Sequence, residues 1–181
     1  MPYEPPPELA SLSLAEVASR LESRKLPPIE SWSPTEEGDS EMRIAADGRW
    51  FHQGGEIKRP AMVRAFASLL TRDDAGRHWL VTPAQKLSIE VEDAAFIATD
   101  VRQDGDALIF RLNTDDMIIA GPDHPIRAAG DPDTPAIYLA VRHGAEARVN
   151  RSTWGQLAEI AIAAGGTSVS SRGATFSLLP A

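Results

Sequence analysis

The 181-residue sequence predicts an α+β fold made of two related small subdomains. Many short strand patterns surround only two long internal helical patterns, and the regular strand–helix alternation of a doubly wound sheet is absent. Residues 42–70 and 137–162 share one order of strand, glycine-containing turn, short strand, arginine and helix, with Gly54–Glu56 matching Gly144–Glu146 at an offset of ninety residues. Such a repeat indicates a duplication, and the seam between two packed halves is a common place for a ligand site.

The elements of the N-terminal part set the first boundaries. Residues 1–27 are predicted to form a proline-rich arm and a helix, because Ser13 and Glu16 make a capping box ahead of an apolar stripe. This helix either docks on the main body or serves as a partner-binding arm. Residues 28–41 are expected to be an irregular loop that Trp32 anchors to the body.

The first α+β subdomain is predicted over residues 28–97. The Asp47-Gly48 pair indicates a hairpin, and Pro60 suits the first position of a helix whose apolar stripe continues to about residue 72. The predicted strands are 42–46, 49–52, 56–58, 78–82 and 86–91.

The second subdomain is predicted over residues 98–181, with its first hairpin beginning just before that boundary. Ser152 is predicted to cap a helix that Gly165-Gly166 ends, and residues 121–135 are expected to form a long loop. The predicted strands of this part are 95–101, 107–112, 117–120, 136–142, 146–149, 169–171 and 175–178.

Composition restricts the function. The net charge of −8 argues against binding to nucleic acid polymers, which requires a dense basic surface. Without cysteine the chain has no disulfide and no thiolate nucleophile. No apolar run is long enough to span a bilayer, and the N-terminus lacks the features of a signal peptide, so a cytoplasmic location is expected.

Catalytic and cofactor motifs are absent from the sequence. There is no P-loop, no dinucleotide fingerprint and no nucleophile elbow, and the glycines fall in hairpin turns. The four histidines have no i,i+4 pairing, and the aspartate-rich turns lack EF-hand spacing. We therefore expect no catalytic constellation, no metal and no cofactor.

Four residues of the first half are candidates for ligand binding. Trp50 and His52 share one strand face, where they either offer a stacking surface and a hydrogen-bond donor or belong to the core. Thr82 and Lys86 flank a Thr-Pro turn that either contacts an anion or only interrupts an edge strand.

Four arginines are the other candidates. Arg59 and Arg151 open helices, where a cation is unfavourable to the helix dipole and needs a carboxylate or an external anion as its partner. Arg142, Arg148 and Arg151 belong to a basic cluster, which is either a binding site or a solvated face. Arg148 alternates with buried neighbours, and we expect it on an open strand face, facing an anion pocket without a structural partner.

Several segments resemble a bacterial family known as domain of unknown function 1285. The resemblance covers most of Trp32 to Phe176, and its segments are Asp39–Arg43, Asp47–His52, Gly54–Arg59, Leu80–Pro83 with Lys86, Val91–Phe96 and Tyr138–Arg151. It implies a duplicated two-domain architecture whose second domain is similar to a pleckstrin-homology-like barrel capped by a helix. It also implies a pocket at the domain interface, possible use of a nucleotide-like ligand, and a role in signal transduction.

The sequence therefore leads to three functional hypotheses. The first is a non-enzymatic module that binds a small anionic ligand between its subdomains, through Trp50, His52, Arg59, Thr82, Lys86, Arg142, Arg148 and Arg151. The second is a protein-interaction scaffold without a small-molecule ligand. The third is a hydrolase that uses His52 with an acidic neighbour such as Asp39, for which the sequence shows no nucleophile or metal.

Overall fold

The computed structural model describes residues 26–181, and a short 3-10 helix at Ile29–Ser31 begins this part of the chain. The arm helix predicted around Ser13 lies outside the described residues. No helix within residues 26–181 is long and apolar enough to cross a membrane.

The first subdomain is a six-stranded mixed sheet with one helix, α1 (Pro60–Ala67). Pro60 begins α1 because its fixed backbone angle suits the first turn. The strands are β1 (Glu36–Ile44), β2 (Trp50–His52), β3 (Gly55–Glu56), β4 (Leu70–Arg72), β5 (His78–Val81) and β6 (Gln85–Val91), in the order β3-β2-β1-β6-β5-β4.

The second subdomain is another six-stranded mixed sheet, followed by helix α2 (Arg151–Ala163) and a separate hairpin of β13 (Ser168–Ser171) and β14 (Ala174–Ser177). Its strands are β7 (Phe96–Asp104), β8 (Ala107–Leu112), β9 (Met117–Ile119), β10 (Ile126–Asp131), β11 (Thr134–Arg142) and β12 (Ala145–Val149), in the order β10-β11-β12-β7-β8-β9.

The two sheets have the same topology, which confirms the α+β class and supports the duplication. Each half forms two antiparallel three-stranded units joined by one central parallel pair, β1 with β6 and β7 with β12. β7 begins sixty residues after β1, and β12 begins sixty residues after β6. The second sheet has β9 and β10 at its edges, and no closed barrel is found within residues 26–181.

The prediction that Gly54–Glu56 and Gly144–Glu146, ninety residues apart, occupy equivalent positions in the two subdomains is wrong. β3 is a fully exposed edge strand, whereas β12 lies between β11 and β7 and alternates buried and partly exposed residues. What the segments share is a turn: Gln53-Gly54 and His143-Gly144 both have positive φ at two central residues, which is typical of type I′ hairpins.

Three further predictions are corrected. Residues 36–41 are not a loop but the exposed start of β1, which pairs in parallel with β6. Residues 126–131 are not part of a loop but edge strand β10, paired with β11. Residues 70–72 do not extend α1; they form β4, because pairing with β5 satisfies their backbone.

The two halves share one hydrophobic core. Trp50 and Leu70 of the first half belong to the same buried cluster as Phe96 and Leu139 of the second. At the edge of the first sheet, the Arg72 backbone N–H donates to the carbonyl oxygen of His143 at 2.9 Å. We call this contact between β4 and the β11–β12 turn the seam bond.

Candidate functional site

Three cavities formed by the described residues could hold a small molecule. The arginine cavity, about 520 Å³, lies between the subdomains and is lined by Asp47, Asp93, Ile97, Asn113, Arg148 and Arg151, among others. The tryptophan cavity, about 270 Å³, is lined from both halves by Trp50, Ile57, Lys58, Val63, Asn113 and Asp115, among others. The sheet groove, about 530 Å³, is formed by the first subdomain alone, around Arg43, Phe51, Arg77, His78 and Glu90.

Arg148 is held in the arginine cavity by a carboxylate. Its Nη1 donates to Oδ2 of Asp93 at 2.9 Å, and the hydroxyl of Tyr138 donates to the other oxygen of Asp93 at 2.6 Å. Burial and this hydrogen bond raise the pKa of Tyr138. The expectation that Arg148 has no structural partner is therefore wrong. Asp93 lies just after the end of β6, and its carboxylate reaches the face of β12 that carries Arg148.

Arg151 is the cation of the arginine cavity that has no ion-pair partner within the described part of the chain. It is exposed at the first position of α2, and the Asn150 side chain, not Ser152, caps that helix by accepting from the Thr153 N–H at 2.9 Å. Asp47, the other acidic residue of the cavity beside Asp93, is bonded to Arg49 at 2.8 Å. The charges of Asp47 and Asp93 are thus already compensated.

Trp50 belongs to the core and is only 1% exposed, so the expectation of an open Trp50–His52 stacking face is wrong. Its ring stacks on Phe66 with centroids 6.4 Å apart. The indole Nε1 is buried and has no hydrogen-bond partner among the described residues. A buried N–H group without an acceptor lowers the free energy of unfolding by about 1–3 kcal/mol. Trp50, which carries this N–H group, also lines the tryptophan cavity.

The sheet groove combines charges of both signs. Arg43 lies over the Phe51 ring at 4.4 Å and pairs with Glu92 at 2.6 Å, and Glu90 faces the groove without an ion-pair partner within residues 26–181. Burial lowers the pKa of His78, and the nearby Arg72 lowers it further. The described residues contain no cluster of carboxylates and histidines suited to a metal ion.

The remaining first-half candidates lie apart from the interface cavities. The Thr82 hydroxyl exchanges two hydrogen bonds of 3.1 Å with the backbone of Gln85. Lys86 lies 4.2 Å from the Trp79 ring and 3.6 Å from Glu37. His52 and Arg59 are exposed and line none of the three cavities, and Asp39 lines the sheet groove without His52.

Arg142 is a partly buried link between the halves. Its guanidinium lies 3.6 Å from Asp116, 5.2 Å from the Phe96 ring and 3.5 Å from the carbonyl oxygen of Ala67 at the end of α1. Burial lowers the pKa of Arg142 to about 10, which leaves it charged at neutral pH. Its surroundings indicate a structural role.

Asn113 and Asn150 are site residues that the sequence reasoning missed. Asn113 lines both interface cavities, and its side-chain oxygen accepts from the Ile97 N–H at 3.0 Å. Asn150 had a detectable signal, because asparagine directly before a helical pattern is a favoured cap. No local signal marks Asn113, whose position depends on the contact between β7 and the β8–β9 turn.

Comparison with known families settles the ancestry of the chain. Residues 27–94 match the model described as "Domain of unknown function (DUF1285), N-terminal domain", and residues 95–178 match "Protein of unknown function (DUF1285), C-terminal domain". The chain belongs to the DUF1285 family. The resemblance seen in the sequence is thereby confirmed.

Two solved DUF1285 structures are similar to this chain. A family protein from Silicibacter pomeroyi DSS-3 is 40% identical, covers 93% of this chain and 95% of its own, and superposes with a TM-score of 0.78. A family protein from Shewanella baltica OS155 is 21% identical over 65% of this chain and 90% of its own, with a TM-score of 0.54, and shows the fold alone. No curated protein matches the sequence.

Proposed function

We propose that this DUF1285 protein is a non-enzymatic module that binds a small anionic ligand in the arginine cavity, in the cytoplasm, as part of signal transduction. The observation that carries the proposal is the charge balance of the cavity. Asp47 and Asp93 already have arginine partners, and Arg151 has none among the described residues. An incoming anion therefore meets an available guanidinium and no available carboxylate.

The size and walls of the arginine cavity suit a small molecule. Its volume of about 520 Å³ lies within the range of about 300–1,000 Å³ usual for ligand sites. The buried side chains of Ile97 and Val149 supply apolar surface. Asp93 and the Tyr138 hydroxyl both accept from Nη1 of Arg148, so its Nε and Nη2 donors can bind a phosphate oxygen without a new conformational cost.

More specifically, we propose that the small anionic ligand is nucleotide-like. The residues that line the arginine cavity include no aromatic side chain, and Trp50 is stacked in the core. A base would therefore lie against the apolar side chains of Ile97 and Val149. The phosphate would then lie between Arg151 and the remaining donors of Arg148.

A ligand screen by thermal denaturation tests this function, with nucleotides, sugar phosphates and inorganic phosphate as probes. A true ligand at about 100-fold above its Kd should add about 2.7 kcal/mol to the free energy of unfolding. Arg151→Ala should lose the ligand-induced rise in Tm and keep the Tm of the free protein. Arg59→Ala is the matched control, because it also removes an exposed arginine at a helix start but lies outside the cavity.

Three outcomes would count against the proposal. A screen without hits would favour the scaffold hypothesis, in which the cavity is only part of a packed interface. Equal losses in Arg59→Ala and Arg151→Ala would show that binding does not occur in the arginine cavity. Turnover of a phosphorylated probe would instead favour the hydrolase hypothesis. His52 and Asp39, the residues named in that hypothesis, do not line a common cavity.

The relation of the second subdomain to a pleckstrin-homology-like barrel is also a proposal. Six strands followed by a helix that packs on β7 support it. Backbone amide hydrogen exchange and crystallography test it at one place, the edges β9 and β10. If these two edges remain unpaired in solution and in crystals, the barrel assignment fails.

A further inference from the structure

We infer that the tryptophan cavity is a second binding site, for a small monocarboxylate with an apolar body. Nothing in the proposed function requires it, since Asn113 is the one described residue that lines both interface cavities. The cavity lies between the β2–α1 segment of the first half and the turn after β8 of the second. Three features point to its ligand: a donor without an acceptor and a cation without an ion-pair partner among the described residues, and apolar walls.

The unused donor is the indole N–H of Trp50. The rings of Trp50 and Phe66 are nearly parallel, with 18° between their planes. An indole N–H lies in the plane of its ring, so the face of Phe66 does not accept it. Trp79 shows the usual solution, because its Nε1 donates to Asp73 at 3.0 Å. A carboxylate oxygen in the tryptophan cavity would supply the acceptor that Trp50 lacks.

The charges of the cavity favour one negative charge on the ligand. Arg49 and Asp115 are paired with Asp47 and Arg111, at 2.8 and 2.7 Å, and Arg64 makes an interaction of its own. Lys58 and Glu56 have no ion-pair partner within the described residues. Lys58 can bind one carboxylate, whereas Glu56 repels any anion and repels a doubly charged phosphate monoester more strongly than a monocarboxylate.

The walls and the volume define the rest of the ligand. Ile57, Pro60 and Val63 line the cavity beside Trp50, so the body of the ligand is apolar. The volume of about 270 Å³ is below the usual range for drug-sized molecules, which limits the ligand to about one ring or a short branched chain.

The Trp50 N–H has almost no solvent contact, so a neighbouring element must move before a ligand can reach it. We take that element to be helix α1, which places Phe66 against the Trp50 ring. Ala67 is the one fully buried residue among its eight, and no side chain caps its N-terminus. A small displacement of α1 would disturb the stack of Phe66 on Trp50 and the packing of Val63 on the core, but it would uncover only one fully buried residue.

The inference is tested by NMR on ¹⁵N-labelled full-length protein, with sodium benzoate as the probe. The chain has four tryptophans, and therefore four indole N–H signals. The Trp50 signal, assigned by Trp50→Phe or by triple-resonance spectra if that variant does not fold, should move downfield and saturate. The Trp79 signal should stay fixed, and so should that of Trp154, whose Nε1 is also buried without a partner among residues 26–181 but which does not line this cavity.

The variants and control probes make the test specific. Lys58→Ala should weaken benzoate binding about tenfold, equivalent to about 1.4 kcal/mol. Arg59→Ala removes the adjacent exposed cation and should leave the Kd unchanged. Inorganic phosphate and the neutral benzyl alcohol should move the Trp50 signal much less than benzoate does.

Several results would overturn the inference: a Trp50 signal that does not move up to the solubility limit of benzoate, an unchanged Kd in Lys58→Ala, or equal responses to phosphate and benzoate. The Arg151→Ala variant keeps this test separate from the proposed function. It should lose binding in the arginine cavity while the Trp50 titration stays the same.

Discussion

Replacement of Gly144 by alanine should weaken the contact between the two subdomains. Gly144 has φ of +80° in the β11–β12 turn, and a Cβ built on it would overlap the carbonyl oxygen of Arg72 in β4. A backbone oxygen cannot rotate away as a flexible side chain can. The turn and β4 must therefore separate, and the seam bond lies within this contact.

Gly54→Ala is the matched control for this substitution. Gly54 has φ of +82° in a turn of the same type, but a Cβ on it would meet nothing within 4 Å. Both substitutions place an alanine in the left-handed conformation, which lowers the free energy of unfolding by about 1 kcal/mol. Gly144→Ala should also lose the seam bond, about 1 kcal/mol net, and the weak ion pair of Arg72 with Glu146 at 3.7 Å.

Urea denaturation followed by tryptophan fluorescence measures the difference. We expect the free energy of unfolding to fall by about 1 kcal/mol in Gly54→Ala and by about 2–3 kcal/mol in Gly144→Ala. The slope of the transition should be preserved, since the exposed surface on unfolding is similar. Equal losses in the two variants would refute the close approach of the β11–β12 turn to β4.

Two further substitutions test the electrostatics. Arg148→Ala should lower the free energy of unfolding by about 1 kcal/mol, because Arg148 and Asp93 form a partly exposed hydrogen-bonded pair, and a double-mutant cycle with Asp93→Asn should show coupling. If Arg148→Ala left the free energy of unfolding unchanged or raised it, Arg148 would instead be a binding arginine without a structural partner. For His78, burial lowers the folded-state pKa below the ordinary 6.5, so stability is complete above that pH and falls as the pH drops below it. In His78→Gln the urea midpoint should change less between about pH 5 and 7 than it does in the unsubstituted protein. The same pH dependence in both proteins would contradict this role of His78.

The sequence predicted those features of the site that depend on local pattern. The alternation of Ala147, Arg148 and Val149 places the arginine on the partly exposed strand face, and Arg151 opens α2 as expected. These two residues therefore reach the same cavity. The partner of Arg148 was not predictable, because Asp93 is 55 residues away along the chain.

The parts of the fold that were missed depend on pairing between distant segments. Residues 36–41 are polar and exposed, and they become a strand only through parallel pairing with β6. β10 similarly depends on β11, and Trp50 is buried because Phe66 of α1 and the second half cover it. The sequence match at ninety residues followed turn chemistry, which the chain uses in several hairpins, and so it concealed the true period of sixty.

The parallel pair at the centre of each sheet has a consequence for the order of folding. Ile44 pairs with Val91, and Ala98 pairs with Val149, so each pair closes a loop of about fifty residues. The entropy of such a closure opposes folding by about 3.5 kcal/mol before any central hydrogen bond forms. Local hairpins on either side of each pair can form first, and their docking then becomes the slow step. Since both closures lie within a single half, each half can pass this barrier independently, and the seam is expected to form last.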